Sequence, residues 1–303
     1  MSVVRATSDD LKDIYELHKA IYQGVDSGYI EHFYRHLFNP LDMYLIKKDA
    51  KIISMANVSS HTFMLNNQLV KGSIISNVMT SIEYRNQGYL DEIMKMVITN
   101  CEHSELVTFV RANKIFEKYG FKTMYYRREY TLTKDKFNKF VEARVNQIVS
   151  YDDLYDIYAR FSRRFNGYLV RDENYFKSYN KAIRKQNGQI VTVYNKESEI
   201  EGYACLIQED DKIIVDEIIY LNVDVLYKII SLVFELRDKV VIKTTPAERL
   251  DLLFPAITYR DYPFMMARIN DYELYNHIFE TGSTTLETAL NSIGKPMFMN
   301  ERC

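Results

Sequence analysis

The chemistry-bearing residues with the most telling spacing are Arg85 and Gly88, within Asn77-Val78-Met79-Thr80-Ser81-Ile82-Glu83-Tyr84-Arg85-Asn86-Gln87-Gly88-Tyr89-Leu90. This run reads as a strand, an Arg-x-x-Gly turn and an amphipathic helix. Such a layout suits a pyrophosphate held by main chain. The turn aims successive N–H groups outward, and the helix after it starts with N–H groups that lack intrahelical acceptors and with the positive end of its dipole. Gly88 has no Cβ, so the backbone can approach an anion closely. Leu90, Ile93, Met94, Val97 and Ile98 recur at three- and four-residue spacing, which buries one helix face. An ordinary strand–turn–helix connection has the same pattern, so the neighbouring elements must decide.

Those elements form an alternating order. Ser8–Tyr22 reads as a helix capped by Thr7, with acids in its first turn. Met43–Lys48 and Ile52–Ser59 read as strands across the turn 48–51, and 62–65 and 73–81 as strands across Asn66-Asn67. After the helix come a strand at Glu105–Val110, a short helix from Asn113 ended by Gly120, and a Tyr- and Thr-rich strand at Thr123–Leu132. The second half repeats the theme. Helices are expected at Asp152–Arg164 and Asp172–Arg184, and strands at 189–194, 202–208 and 212–221. A helix at Val223–Arg237 and strands at 239–243 and 264–270 follow. The position matching the first turn, Ile219–Leu226, has no glycine and no arginine and carries an acid, which would repel a pyrophosphate.

The length of 303 residues suggests two domains, and a hydrophobic fraction of 47% with 26% charged is ordinary for a globular protein. A net charge of −2 argues against a nucleic-acid binder. No apolar run approaches the ~20 residues that span a bilayer, and the first residues show no signal-peptide core. Cys101, Cys205 and Cys303 form neither a metal spacing nor a disulfide framework, so the expectation is a cytoplasmic protein without a metal or membrane partner. His32 and His36 share a helix face at i, i+4, but with no third ligand evident they read as helix surface.

The order of elements, the Arg85-x-x-Gly88 turn and the later Phe116-Glu117-Lys118-Tyr119-Gly120-Phe121 resemble the GNAT acetyltransferases. Within that superfamily the chain looks like the enhanced intracellular survival (Eis) family. The resemblance rests on Arg-x-x-Gly-Tyr-Leu, on Lys71-Gly72-Ser73, on Asn166–Phe176 and on Pro263–Ile269, the last resembling the strand that closes that family's middle domain. It implies an α/β (α+β) fold of tandem GNAT-like units, with mixed, mostly antiparallel sheets flanked by helices. The expected division is 1–135 for the acetyl-CoA-binding domain, 146–272 for a second GNAT-like domain without the CoA motif, and 273–303 for a short tail. That tail takes the place of the sterol-carrier-like domain with which Eis-like proteins continue. The resemblance also implies that Arg85, Asn86, Gln87, Gly88, Tyr89 and Leu90 bind the pyrophosphate of acetyl-CoA. Val78, Met79 and Thr80 would lie along the pantetheine arm, and Phe116 near it.

Transfer of an acyl group to an amine needs a polarised carbonyl, a deprotonated amine and a stabilised thiolate. A backbone N–H of Val78 or Thr80 can polarise the carbonyl. The family's usual acid, a Tyr four residues before the glycine of the later helix, is replaced by Phe116, which cannot donate a proton. Tyr119, one helical turn on, is the nearest hydroxyl candidate, against the alternative of a core aromatic. His61, on the strand before the motif strand, is the candidate base. Cys303 is a candidate because the family places its C-terminal carboxylate in the site. The expected function is acetyl-CoA-dependent N-acetylation of a primary amine such as an aminoglycoside, a polyamine or a lysine side chain. A homo-oligomer is carried as an open expectation. The rival is a non-catalytic acyl-CoA-binding regulator, and a third reading is a structural protein that kept only the fold.

Overall fold

In the computed structural model, which describes residues 2–22, 28–143, 145–146 and 149–301, strands and helices alternate twice along the chain. The first series is β1 (Val3–Arg5), α1 (Leu11–Ile21), α2 (Tyr29–His32), β2 (Met43–Lys48), β3 (Lys51–Leu65), β4 (Gln68–Thr80), α3 (Tyr89–Ser104) and β5 (Val107–Arg111). The second is β6 (Lys122–Thr133), β7 (Val145–Asn146), α4 (Tyr151–Ser162), β8 (Tyr168–Leu169), α5 (Glu173–Lys185), β9 (Gly188–Tyr194), β10 (Ile200–Gln208), β11 (Ile213–Tyr220), α6 (Val223–Leu236), β12 (Lys239–Thr244) and β13 (Thr258–Ile269). Two short helices, α7 (Tyr272–Phe279) and α8 (Leu286–Leu290), follow. Contacts group the described residues into two units: those up to Met124 with Phe264–Gly294 and Glu301, and those of Tyr125–Pro263 with Lys295–Asn300.

In the first unit the strand order is β1-β2-β3-β4-β5, extended by the C-terminal half of β13. β1 to β4 are antiparallel, whereas β4 and β5 are parallel and joined by α3. A parallel pair needs such a crossover, and the apolar stripe of α3 supplies its cover. Ile93, Met94, Val97 and Cys101 pack with Ile75, Val110, Phe116 and Phe121 on one face of the sheet. Ile14 of α1 packs with Met43, Leu45, Ile52 and Met55 on the other.

In the second unit β6, β12, β11, β10, β9 and β7 lie side by side. β11 and β12 are again parallel and joined by a helix, α6, which buries Val225, Leu226, Ile229, Ile230, Val233 and Phe234. This repeats the β4–α3–β5 crossover. The Asn166–Phe176 segment owes its residues to packing. Gly167 has φ 64°, and a Cβ there would lie 2.3 Å from the Tyr125 hydroxyl. The Arg171 guanidinium is fully buried and paired with both carboxylate oxygens of Glu217 at 2.9 and 2.8 Å. Asp172 caps α5 by accepting from the Tyr175 N–H.

The expected boundaries 1–135, 146–272 and 273–303 are linear, and the contact grouping is not. Pro263–Ile269 is the strand expected to close the second domain, and Met265–Ile269 pairs antiparallel with Arg111–Val107 of β5, in the first unit by contacts. β5 carries the buried residues Val107, Phe109 and Val110, and its N–H and C=O groups on the side away from β4 need a partner. Among the described residues no helix is long and apolar enough to cross a membrane.

Candidate functional site

The site begins where β4 leaves β5. Their pairing runs from Gly72↔Val107 to Ile75↔Val110 and stops, while Ala112 next to β5 donates to the Phe264 carbonyl. Beyond that point β4 is held by β3 alone, with Asn57↔Ser76 followed by Met55↔Met79, so Asn77 and Val78 together face Ala56. This is a β-bulge, and Asn77 takes φ 49° within it. A bulge shifts the phase of the ladder and re-aims main-chain and side-chain groups. Val78 packs toward the α3 side of the sheet and Met79 toward the α1 side.

Downstream, Ile82–Tyr84 form a single tight turn, Arg85 donates from Nε to the Thr80 carbonyl at 3.2 Å, and Gln87 donates from Nε2 to the Glu83 carbonyl at 3.1 Å. Asn86 (φ 60°) and Gly88 (φ 89°) swing the chain into α3. Gly88 is the N-cap and offers no side-chain acceptor; the first helical bond runs from Glu92 N–H to Gly88 O. The N–H groups of Tyr89, Leu90 and Asp91 therefore precede the hydrogen-bonded ladder at the positive end of a sixteen-residue helix. The side chains of Tyr89 and Leu90 are half-buried and pack against the core cluster under α3. At the equivalent place in the second unit, the N-cap Asn222 accepts from the Val225 N–H at 3.0 Å and Asp224 lies in the first turn. One helix start is open and the other is filled.

The structure separates the proposed catalytic side chains. Phe116 is buried against Phe121 and the α3 stripe, and no hydroxyl replaces the missing acid there. Tyr119 borders the same cluster, but its hydroxyl donates to the carboxylate of Asp91 in the first turn of α3, beside the Lys118 ammonium at 2.6 Å from that carboxylate. Burial, together with the bond to Asp91, pushes the Tyr119 hydroxyl up to about 12, and the Lys118 bond holds Asp91 below the usual carboxylate range. In this structure the Tyr119 hydroxyl is therefore engaged with the first turn of α3. His61 lies on β3 between Ser59 and Phe63, opposite Gly72. Val58 faces α3, and side chains alternate along a strand, so His61 is on the opposite face from Tyr119. Its Nε2 is 2.8 Å from the Ser59 hydroxyl. Burial lowers the His61 pKa, while the charges of Glu301 and Asp42 act in the other direction. Cys303 lies outside the described residues.

Three functional candidates escaped the sequence reading: Asn77, Asp91 and Glu301. Asn77 had a signal, because asparagine is depleted in strand interiors. Asp91 and Glu301 had none, since their partners are distant in sequence. The exposed His36 and the buried His32 have rings 5.0 Å apart. No group of three or more His, Cys, Asp or Glu placed to hold a metal occurs among the described residues.

An opened parallel strand pair, a bulge and an uncapped helix start fit an elongated donor with a carbonyl at one end and phosphates further along. The comparisons agree. Residues 2–124 match a family described as an acetyltransferase (GNAT) domain, and residues 167–269 match a second one so described. Among curated proteins, none matches the chain in sequence. Solved structures share the fold. A protein of unknown function from Enterococcus faecalis, described as a probable N-acyltransferase, has TM-score 0.76 at 18% identity, covering 88% of this chain and 72% of that one. A GCN5-related N-acetyltransferase from Anabaena variabilis has TM-score 0.75 at 14% identity, covering 89% and 73%. Eis1 from Mycobacterium abscessus has TM-score 0.71 at 12% identity, covering 91% and 76%. With both halves matched, the chain belongs to the GNAT acetyltransferases and carries two GNAT domains in tandem.

Proposed function

We propose that the protein transfers an acetyl group from acetyl-CoA to a primary amine, with the first unit binding the donor. The observation that carries this is the β4–β5 pair that parts after Ile75↔Val110 and leads through the bulge into the Arg85–Gly88 turn and the open start of α3. Arg85, Asn86, Gln87 and Gly88, with the N–H groups of Tyr89 and Leu90, hold the pyrophosphate. The main chain of Val78, Met79 and Thr80 lies along the pantetheine arm, and Phe116 supplies an apolar wall. Acetyl-CoA contributes an acetyl group activated as a thioester.

His61 serves as the base on the acceptor side. Burial lowers its pKa and so favours the neutral ring, which takes a proton from the acceptor ammonium. The amine nitrogen then bonds to the acyl carbon, the C–S bond breaks with its electron pair going to sulfur, and the remaining surplus proton on nitrogen passes to the thiolate, giving the amide and the CoA thiol. A thiol pKa of about 8–9 makes that departure feasible without an acid. Phe116 in the acid position thus lowers the rate, by the roughly 10²–10⁴ that general acid catalysis supplies, without removing the activity. Asp42 and Glu301 give the surroundings of His61 negative character, which favours a cationic acceptor: an aminoglycoside, a polyamine or a lysine side chain.

Calorimetric binding of acetyl-CoA and CoA, followed by a thiol-release assay over those three amine classes, tests the reading. Tight binding with turnover supports it and names the acceptor class. Binding without turnover replaces it by the acyl-CoA-binding regulator, and no binding removes the donor-site assignment.

A further inference from the structure

We propose that the second unit is a peptide receptor whose ligand is the chain's own segment Pro296–Asn300, read through Phe298 and the side-chain amide of Asn300. This role is independent of what the first unit binds. The receptor site is an opening between two strands. β11 and β12 pair in parallel from Ile213↔Val240 to Val215↔Ile242 and then part. Beyond that point β11 is held by β10 as far as Tyr220, and β12 by β6 as far as Thr244. The register between β10 and β11 shifts from Leu206↔Val215 to Cys205↔Glu217, which makes Asp216 a bulge. Opening and bulge repeat the arrangement of β4 in the first unit. The helix that follows does not, because Asn222 fills the start of α6. A phosphate-bearing ligand has no anchor there.

A peptide occupies the opening instead. The chain leaves the second unit after Pro263 and returns to it only for Lys295–Asn300. The Asn166 N–H donates to the Pro296 carbonyl at 2.9 Å, and the Phe298 N–H donates to the Asn166 carbonyl at 3.0 Å. Thr245, just past β12, donates its hydroxyl to the Met297 carbonyl at 3.4 Å. Phe298 is buried, with its ring stacked on Phe165 at 5.0 Å and Phe161 beside it. Asn300 enters the opening. Its Nδ2 donates to the carbonyl of the bulged Asp216 at 3.2 Å and to Glu217 Oε2 at 3.0 Å, and its Oδ1 accepts from Arg127. Both N–H groups and the oxygen of the amide are thus matched. Glu217 is itself fixed by Arg171 and Tyr203, so strand residues and not the segment hold the acceptor in place. An aspartate at position 300 would set a carboxylate against that carboxylate. Main-chain pairing that supplies affinity, with side-chain pockets that supply sequence preference, is how added peptide strands are recognised.

The test uses the full-length chain with a protease site inserted between the exposed Gly294 and Lys295. The folded protein is cut, so that residues 295–303 stay only through non-covalent contacts, and is mixed with a fluorescently labelled peptide of residues 295–303. Anisotropy follows uptake, and Tm is measured on dilution and with added peptide. The cut protein is expected to take up the labelled peptide, to melt lower on dilution and to regain its Tm as peptide is added. Unlabelled peptides with Asn300→Asp or Phe298→Ala should compete at least about tenfold more weakly than the natural sequence. Absence of uptake makes the segment an integral part of the fold and overturns the proposal, as does equal competition by the Asn300→Asp peptide. Should the insertion prevent folding, the uncut Asn300→Asp protein decides. It should melt lower than wild type and bind the labelled natural peptide, which uncut wild type, with its site filled, does not. An unchanged Tm without binding overturns the proposal equally.

Discussion

At the scale of single residues, Tyr119 and His61 have to be told apart by what surrounds them. Tyr119 and Lys118 both bond Asp91, an acid at the third position of the helix whose start is the proposed phosphate site. An unpaired carboxylate there would oppose an anionic ligand, and the two donors reduce that opposition. Tyr119→Phe removes one of them. It is expected to raise the KM for acetyl-CoA several-fold and to leave kcat and its pH dependence unchanged in steady-state assays. A fall in kcat with loss of the alkaline limb would restore Tyr119 as the acid. His61 makes a different prediction. Its folded pKa lies below the unfolded value of 6.5, chiefly through burial. Neutral His61 therefore persists to lower pH than a free imidazole, and kcat/KM should fall as pH drops through the lowered folded pKa. His61→Gln should remove that limb and cost roughly 10²-fold or more, measured as a pH profile. Stability follows the same sign. Below pH 6.5 the unfolded chain takes up the proton first, so this contribution to folding is lost as pH falls further.

At the scale of elements, the two parallel crossovers show how one architecture is left open or closed. Gly88 begins α3 without a side-chain acceptor, while Asn222 spends its amide oxygen on the start of α6. A Cβ on Gly88 would meet nothing within 4 Å, so steric contact does not select glycine there; the φ of 89° does. Gly88→Ala is expected to cost about 1–2 kcal/mol of stability through backbone strain alone. Gly88→Asp adds a negative charge at the helix start and should weaken acetyl-CoA binding at least about tenfold beyond the alanine variant. Calorimetry on the two variants separates strain from charge, and equal affinities would remove the turn from the phosphate site.

At the scale of the whole molecule, the chain does not fill its two units in order. β13 reaches back so that its C-terminal half pairs with β5, and α7 and α8 follow it into the first unit. The first unit therefore includes residues well beyond the first matched domain. Met266 is buried and paired with Val110, in phase with the Ala112 N–H to Phe264 carbonyl and Asn270 N–H to Leu106 carbonyl bonds, so its own N–H faces β5. Met266→Pro deletes that N–H in the middle of the ladder and is expected to lower stability by roughly 2–4 kcal/mol more than Met266→Ala, with acetyl-CoA binding weakened in parallel. Thermal melts with and without ligand check this, and an unchanged Tm would mean that β5 does not need the pairing.

What could be read from the chain alone was local. The turn needed only Arg85, Gly88 and the helical period after them, because hydrogen bonds within a few residues govern such features. Strands such as Met43–Lys48 and helices such as Val223–Leu236 announced themselves through burial periodicity and caps for the same reason. The two GNAT halves were likewise legible, since each repeats a strand–helix–strand order. Tertiary structure decided everything that depends on a partner far away in sequence. The bulge at Asn77 arises from the register between β3 and β4, and the bond from Tyr119 to Asp91 brings together residues on separate elements. The lowered pKa of His61 reflects burial under neighbours that its own strand does not contain. The strand Phe264–Ile269 has the same alternation whichever sheet it joins; the exposed hydrogen-bonding edge of β5 chose it, and no local pattern records that choice.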